Sequence, residues 1–366
     1  TNDYGNATSV NATLTVQESL DFVHAIRITF DGYTESETLT NIPVSVKLND
    51  GIIGFDYEGF LSAEGDDLRF WTSDMQPRVY EIEKWDTAAD SFVWVRLPEL
   101  AQGTFIYASW GDAGAASPPE TPAHTWMEDF LAAWHLNDNA DGAPDSATLN
   151  ADNSGTFNIL NASAPPEVVP GIIGDAFKNI NNTTYRVEIG NNDTLEKQDQ
   201  ATFSFWYRRD LSGGDNAEIF SRPVSGTNRR IGYDFGGMDY DDGIGLFANV
   251  GSSTPTLFSG SLQLGNWHHI AITQNKTSSS RADFALYLDG ELIGSANNQS
   301  LSESSGGWIL EPTFLLGGSA VVGRVEVPHA TLDEMRMASA VRSPAWVKAE
   351  YLSMSDPHTF GTYEPA

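Results

Sequence analysis

The chain has 366 residues, a length that accommodates two or three domains, and carries 50 acidic against 20 basic side chains for a formal net charge of −30. That charge excludes nucleic acid and anionic membrane as partners, because both require a cationic face. The absence of cysteine excludes disulfides, thiolate metal sites and cysteine nucleophiles, and no apolar run reaches the roughly 18 residues of a membrane-spanning helix. Hydrophobic residues make up 40% and aromatic residues 11% of the chain, enough for real cores. Abundant Gly, Pro, Thr, Ser, Asn and Asp, with few amphipathic helical stretches, predict an all-β protein. The acidic surface fits solubility in a saline external medium.

Residues 1–16 end in an alternating stretch, Ala12, Leu14 and Val16 against Asn11, Thr13 and Thr15. Residues 1–20 read as a terminal strand and linker. Over 21–112, short strands recur at regular spacing: 24–30, 42–48, 68–72, 79–85, 91–97 and 103–110. Turn clusters such as Asn49-Asp50-Gly51 and Glu64-Gly65-Asp66-Asp67 separate them. This pattern predicts an antiparallel β-sandwich. Glu81 and Glu83 share one strand face, and paired carboxylates can perform acid–base work on sugars. Their alternation with Tyr80, Ile82 and Lys84 is that of a half-exposed strand, so both are expected in solvent. Residues 113–125, with Pro118, Pro119 and Pro122, form a semi-stiff linker. Residues 126–366 make a second domain.

The most informative stretch of that domain is 265–296. Trp267, His269, Ala271 and Thr273 alternate with His268, Ile270 and Ile272, and Phe284, Leu286 and Leu288 share a face that ends at Asp289-Gly290. This is a hairpin with one buried face. Adjacent histidines on a strand point to opposite faces, so His268 and His269 are structural. No Ser-His-Asp order, His-Glu-x-x-His or phosphate-cradling glycine loop occurs, and no catalytic residue is assigned.

These motifs carry resemblances. The first domain, through LTNIPVSVKL (39–48), DDLRF (66–70), YEIEKWD (80–86), SFVWVRLPEL (91–100) and TFIYASWG (104–111), resembles the bacterial domain of unknown function DUF2341. Residues 1–16 resemble the last hairpin of a bacterial Ig-like domain. The second domain resembles LamG-type, concanavalin A-like jelly rolls. The matching pieces are AAWHL (132–136), DSATLNAD (145–152), GDAFKNINNTTYRVEI (174–189), ATFSFWYRR (201–209), EIFSR (218–222), WHHIAIT (267–273), ATLDEMRM (330–337) and RSPAWVKAEY (342–351). The implied architecture is a DUF2341-type sandwich followed by a jelly-roll sandwich.

The resemblance also implies a structural Ca²⁺ at the sheet rim, and the positions that match its ligands are Asp145, Asn179, Asn181 and Asp333. Such an ion takes six to eight hard oxygen ligands. Asp239, Asp241 and Asp242 form a second acidic group, read as a solvated hairpin tip. Trp308 and Tyr240 are rim aromatics able to stack on a sugar ring, with Asp239 and Asp241 beside them for hydroxyls. Trp134, Trp206, Trp267 and Trp346 are expected in the core. The expected function is non-catalytic binding of a glycan or surface protein by a piece of a larger bacterial modular chain. Its expected place is extracellular or on the cell surface, with the periplasm as an alternative. Two other readings remain open: a polysaccharide-cleaving enzyme, and a spacer or fibre subunit using residues 1–16 as an intermolecular strand.

Overall fold

The computed structural model describes residues 23–114, 122–126, 129–137, 157–160, 167–178, 186–189, 199–210, 218–223, 230–234, 243–247, 256–279, 281–300, 314–316 and 330–366. It is an all-β, antiparallel structure. The first sandwich begins with β1 (His24–Thr29), β2 (Leu39–Leu48), β3 (Arg69–Thr72), β4 (Pro77–Arg78), β5 (Tyr80–Lys84), β6 (Ser91–Leu100) and β7 (Phe105–Trp110). Each strand expected over 21–112 is present. The inward set of their alternation, including Val44, Val46, Val93, Val95, Leu97, Ile106 and Ala108, forms one core.

The chain then runs through a short helix α1 (Pro122–Thr125) into β8 (Phe130–Trp134), β9 (Phe157–Leu160), β10 (Glu167–Pro170), β11 (Asp175–Lys178), β12 (Arg186–Ile189) and β13 (Gln200–Arg209). It continues through β14 (Glu218–Pro223), β15 (Arg230–Asp234), β16 (Gly243–Phe247), β17 (Thr256–Ser261), β18 (Trp267–Ser278), β19 (Arg281–Leu288), β20 (Glu291–Ser300), β21 (Phe314–Leu316) and β22 (Ala330–Ala338). One sheet has the order β10-β11-β22-β13-β18-β19-β20, with β8 also paired to β22, and a second has the order β15-β14-β21-β12-β9. Phe203, Phe205, Ile270, Ile272, Leu286, Leu332, Met335 and Met337 form the core of this second sandwich. Between β19 and β20, Leu288 pairs with Glu291 across Asp289 and Gly290, whose φ values are 50° and 80°. A two-residue loop with φ > 0 at both positions is the type I′ turn that suits the strand twist.

The last segment returns to the first sandwich. Helix α2 (Pro344–Ser355) leads through α3 (Pro357–Phe360) into β23 (Thr362–Pro365), which pairs with β1 from Ile26↔Pro365 to Thr29↔Thr362. The first five-stranded sheet is therefore β23-β1-β7-β3-β4, packed against β2-β6-β5. Ser343 caps α2 by accepting the Trp346 N–H, and Pro344 opens the helix where no N–H is needed.

Helix α2 is buried from several directions at once. Ala345, Trp346 and Ala349 belong to the first core, while Val347 packs with Ala271 and Tyr287 of the second sandwich. Met354 joins Trp94, Trp126 and Trp206 between the two. The helix is thus a wedge shared by both sandwiches. Trp346→Ala should cost about 3–5 kcal/mol, the range for truncating a large buried aromatic. Urea unfolding followed by tryptophan fluorescence and far-UV circular dichroism measures it, and a loss below about 1 kcal/mol would refute the wedge.

Candidate functional site

Charged side chains that strand alternation turns away from the two cores meet between the sandwiches. On β5, Tyr80 and Ile82 face the first core, so Glu81 and Glu83 face outward. That outward face is covered by the second sandwich. Glu81 and Glu83 are 8% and 1% exposed at their side chains, which overturns the expectation that they are solvated. On β6, Trp94 points the same way and donates its indole N–H to Glu83 Oε2 at 2.6 Å. Trp126 donates to Glu81 Oε2, also at 2.6 Å.

From the second sandwich come His135 and a run of charges on β22. Just after β8, Trp134 and Leu136 enter the core and His135 faces the junction. In β22, Arg336 pairs with Ser204 and Asp333 with Trp206, so Glu334 and Met335 together oppose Phe205 alone. This is a β-bulge, and Glu334 adopts the left-handed φ of 49° within it. Alternation would send Asp333 and Glu334 to opposite faces. The extra residue leaves Leu332, Met335 and Met337 in the core and turns Asp333, Glu334 and Arg336 toward the junction.

The geometry is dense. His135 Nδ1 lies 2.8 Å from Glu334 Oε1 and 3.3 Å from Glu83 Oε2, and its Nε2 lies 3.4 Å from Glu81 Oε2. Arg336 donates to Glu334 Oε2 at 2.5 Å and to Glu350 Oε1 at 2.9 Å, and its guanidinium lies over the rings of Trp94 and Trp126 at 4.3 and 4.7 Å. Asp333 Oδ2 accepts the N–H groups of Ile172 and Ile173, which draws Ile173 into the junction. A Cβ at Gly171 would sit 2.3 Å from that oxygen, and one at Gly174 would sit 3.1 Å from Glu83 Oε1. The turn between β10 and β11 approaches the cluster this closely only because both positions are glycine.

Burial and the charge of Glu334 push the Glu83 carboxyl well above the usual carboxylate range. Burial, with the charges of Glu334 and Glu83, does the same to Asp333 against its two backbone donors. Burial alone would lower His135, but Glu334, Glu83 and Glu81 outweigh it and hold the imidazole well above its ordinary value. Glu350 shows the reverse balance. Burial opposes its ionisation, yet His269, Arg336 and Ser204 hold it down at about 2. Among the described residues, Glu83, His135 and Glu334 are also a set able to hold a metal ion, with ligand atoms within 4.8 Å of one another.

Residues 181–348 match the family model Laminin_G_3, described as the concanavalin A-like lectin/glucanases superfamily. The second sandwich is concanavalin A-like. No curated protein matches the sequence. Among solved structures, domain 4 of AbnA, a GH43 extracellular arabinanase from Geobacillus stearothermophilus in complex with arabinotriose, is 18% identical, covering 60% of this chain and 98% of its own, with a TM-score of 0.46. The binding domain of Paraclostridial Mosquitocidal Protein 1 is 15% identical over 62% of this chain and 52% of its own, with a TM-score of 0.46. Trypanosoma rangeli sialidase, as its covalent intermediate with 2,3-difluorosialic acid, is 13% identical over 77% of this chain and 44% of its own, with a TM-score of 0.45.

Of the residues singled out in the sequence, Asp333 lies in the cluster. Asp145, Asn179, Asn181, Asp239, Tyr240, Asp241 and Trp308 lie outside the described residues, as does the Ig-like stretch 1–16. Trp134, Trp206 and Trp346 are buried; Trp267 is half-buried beneath the Arg208 guanidinium. His268 and His269 diverge as expected. His268 Nδ1 lies 2.8 Å from Asp289 Oδ2, while the fully buried His269 has Nε2 3.8 Å from Glu350. His135 and Glu334 were not singled out. Their signals were present: the Trp-His-Leu alternation, and an Asp-Glu doublet that breaks the alternation of LDEMRM.

Because the folded pKa of Glu350 lies below its ordinary value of 4.5, its contribution is complete above about pH 4.5 and is lost as the pH falls toward about 2. Glu350→Gln should therefore destabilise the protein by roughly 3 kcal/mol at pH 7, with the gap from wild type closing between pH 4.5 and 2. Urea melts of both proteins across that range measure it; a gap independent of pH would refute the assignment.

Proposed function

We propose that this chain is a non-catalytic, glycan-recognising segment of an extracellular modular protein, with its binding residues at the rim of the concanavalin A-like sandwich. One observation carries the reading. The carboxylates and histidine best suited by type to acid–base chemistry are sealed between the sandwiches, with side-chain exposures of 1% for Glu83, 7% for His135 and 1% for Glu334. Glycosidic cleavage needs two carboxylates flanking the scissile bond on opposite sides of a sugar, and a polymer does not reach these. Recognition instead draws on the segments joining described strands. Tyr240, Asp239 and Asp241 belong to the segment between β15 and β16, and Trp308 to that between β20 and β21. Segments carried on a rigid sheet are the usual seat of binding residues. The strong negative charge and lack of cysteine support a place outside a bacterial cell.

Calcium belongs to the same proposal, with Asp145, Asn179, Asn181 and Asp333 as its ligands. Asp333 fits such an ion through one oxygen only, since Oδ2 is committed to two N–H groups and Oδ1 is buried without a hydrogen-bond partner. A bound ion would supply fixed positive charge and hold the rim in place.

A glycan array probed with the whole chain should give binding to a restricted set of sugars. Trp308→Ala should weaken that binding about two- to tenfold, since a stacked aromatic is worth about 0.5–1.5 kcal/mol. Uniform silence across the array, or turnover of any polysaccharide offered, would overturn the reading. Calcium should raise the melting midpoint of chelator-treated protein, and an unchanged midpoint would remove calcium from it.

A further inference from the structure

We propose that Glu83, His135 and Glu334 form a zinc site that staples the two sandwiches together. The three side chains come from separate parts of the chain: Glu83 from β5 of the first sandwich, His135 from the end of β8, and Glu334 from the bulge of β22. All three are buried, and their ligand atoms lie within 4.8 Å of one another.

The spacings fit an ion. Zinc binds imidazole nitrogen and carboxylate oxygen at about 2.0–2.2 Å, so neighbouring ligand atoms around it stand about 3.0–3.5 Å apart. His135 Nδ1 stands 3.3 Å from Glu83 Oε2, within that range, and is hydrogen-bonded to Glu334 Oε1 at 2.8 Å, from which an ion would part it by a few tenths of an ångström. An imidazole with two carboxylates favours a first-row divalent ion over calcium, which takes oxygen ligands only.

Each ligand also has a partner behind it. The other imidazole nitrogen, Nε2, faces Glu81 Oε2 at 3.4 Å, and Glu81 is itself fixed by the Trp126 N–H. Trp94 donates to Glu83, and Arg336 to Glu334. A carboxylate behind a metal-binding imidazole, and donors behind metal-binding carboxylates, are the usual supports of such ions.

Two independent observations point to a missing cation. Glu83 Oε1 is buried with no hydrogen-bond partner. Five carboxyl groups, those of Glu81, Glu83, Asp333, Glu334 and Glu350, also crowd the junction around the guanidinium of Arg336 and the imidazole of His135. Zinc would take the Nδ1 lone pair, releasing any proton held there.

The test uses the whole chain after chelator treatment and dialysis. Zinc titration by calorimetry should give one tight site per chain, and cobalt in its place should give visible ligand-field bands. Zinc should raise the melting midpoint. Glu83→Gln and His135→Gln should each lose at least about 100-fold in affinity, and Glu81→Gln, which leaves all three ligands in place, about 10–100-fold. Near-UV circular dichroism establishes that each variant is folded, and Glu81→Gln carries the test if the ligand variants are not. The absence of cobalt bands would overturn the proposal. So would zinc affinity unchanged in the variants, which would assign the ion to surface carboxylates, or displacement of zinc by excess calcium. None of these outcomes bears on the glycan reading, which rests on the rim segments.

Discussion

One extra residue in β22 shapes the junction. The bulge opposite Phe205 puts two consecutive carboxylates, Asp333 and Glu334, on the face that meets the first sandwich. Burying a charge is expensive unless it is paired and hydrogen-bonded. The surroundings follow from that cost. Arg336 reaches the same face because the bulge restores the alternation two residues later, and it bridges Glu334 to Glu350. Asp333 is satisfied at one oxygen by the Ile172 and Ile173 N–H groups, and the glycines at 171 and 174 exist to let that turn come near. His135 is placed beside Glu334 by the register that sets Trp134 against Met335. The left-handed backbone of Glu334, costing on the order of 1 kcal/mol, persists because this network over-determines it.

The junction also joins the last described segment to both sandwiches. Separating the sandwiches would expose the indoles of Trp94, Trp126 and Trp206 and part Glu81 and Glu83 from His135. Helix α2 locks the same seam with apolar contacts to both cores, and β23 then supplies an edge strand to the first sheet. An exposed sheet edge at β1 is thereby closed by the chain's own terminus. The two sandwiches share a helix and a charge network, so each stabilises the other.

The strands were legible because period-2 alternation is a local property. The six strands of the first sandwich and the Asp289-Gly290 hairpin are present as read. The start of α2 was given only by the resemblance of RSPAWVKAEY, although Ser343 and Pro344 are a local N-cap and first-turn proline. The junction was not legible, for a physical reason. Alternation says that Glu81 and Glu83 share the face opposite Tyr80 and Ile82; it does not say whether water or another sheet lies on that face. Trp94 on the neighbouring strand β6, an indole on an otherwise outward face, is the residue that marks the face as covered. The carboxylate doublet in LDEMRM announces a broken alternation, but its partner His135 lies 199 residues away. Asp145, Asn179, Asn181, Asp239, Tyr240, Asp241 and Trp308 are a different case, since they lie outside the described residues.

The filled junction has a mechanical consequence for the recognition proposed above. A binding segment loses affinity to every degree of freedom it must freeze on contact with its ligand. A hinge between two sandwiches would be one such freedom. Here the hinge is filled by α2 and by a network whose ion pairs are shielded from solvent salt, since screening acts weakly on buried charges. The interface therefore holds in a saline medium where surface ion pairs would weaken, while the −30 net charge keeps the outer faces soluble. The carboxylates that look most chemical are the ones that stiffen the frame.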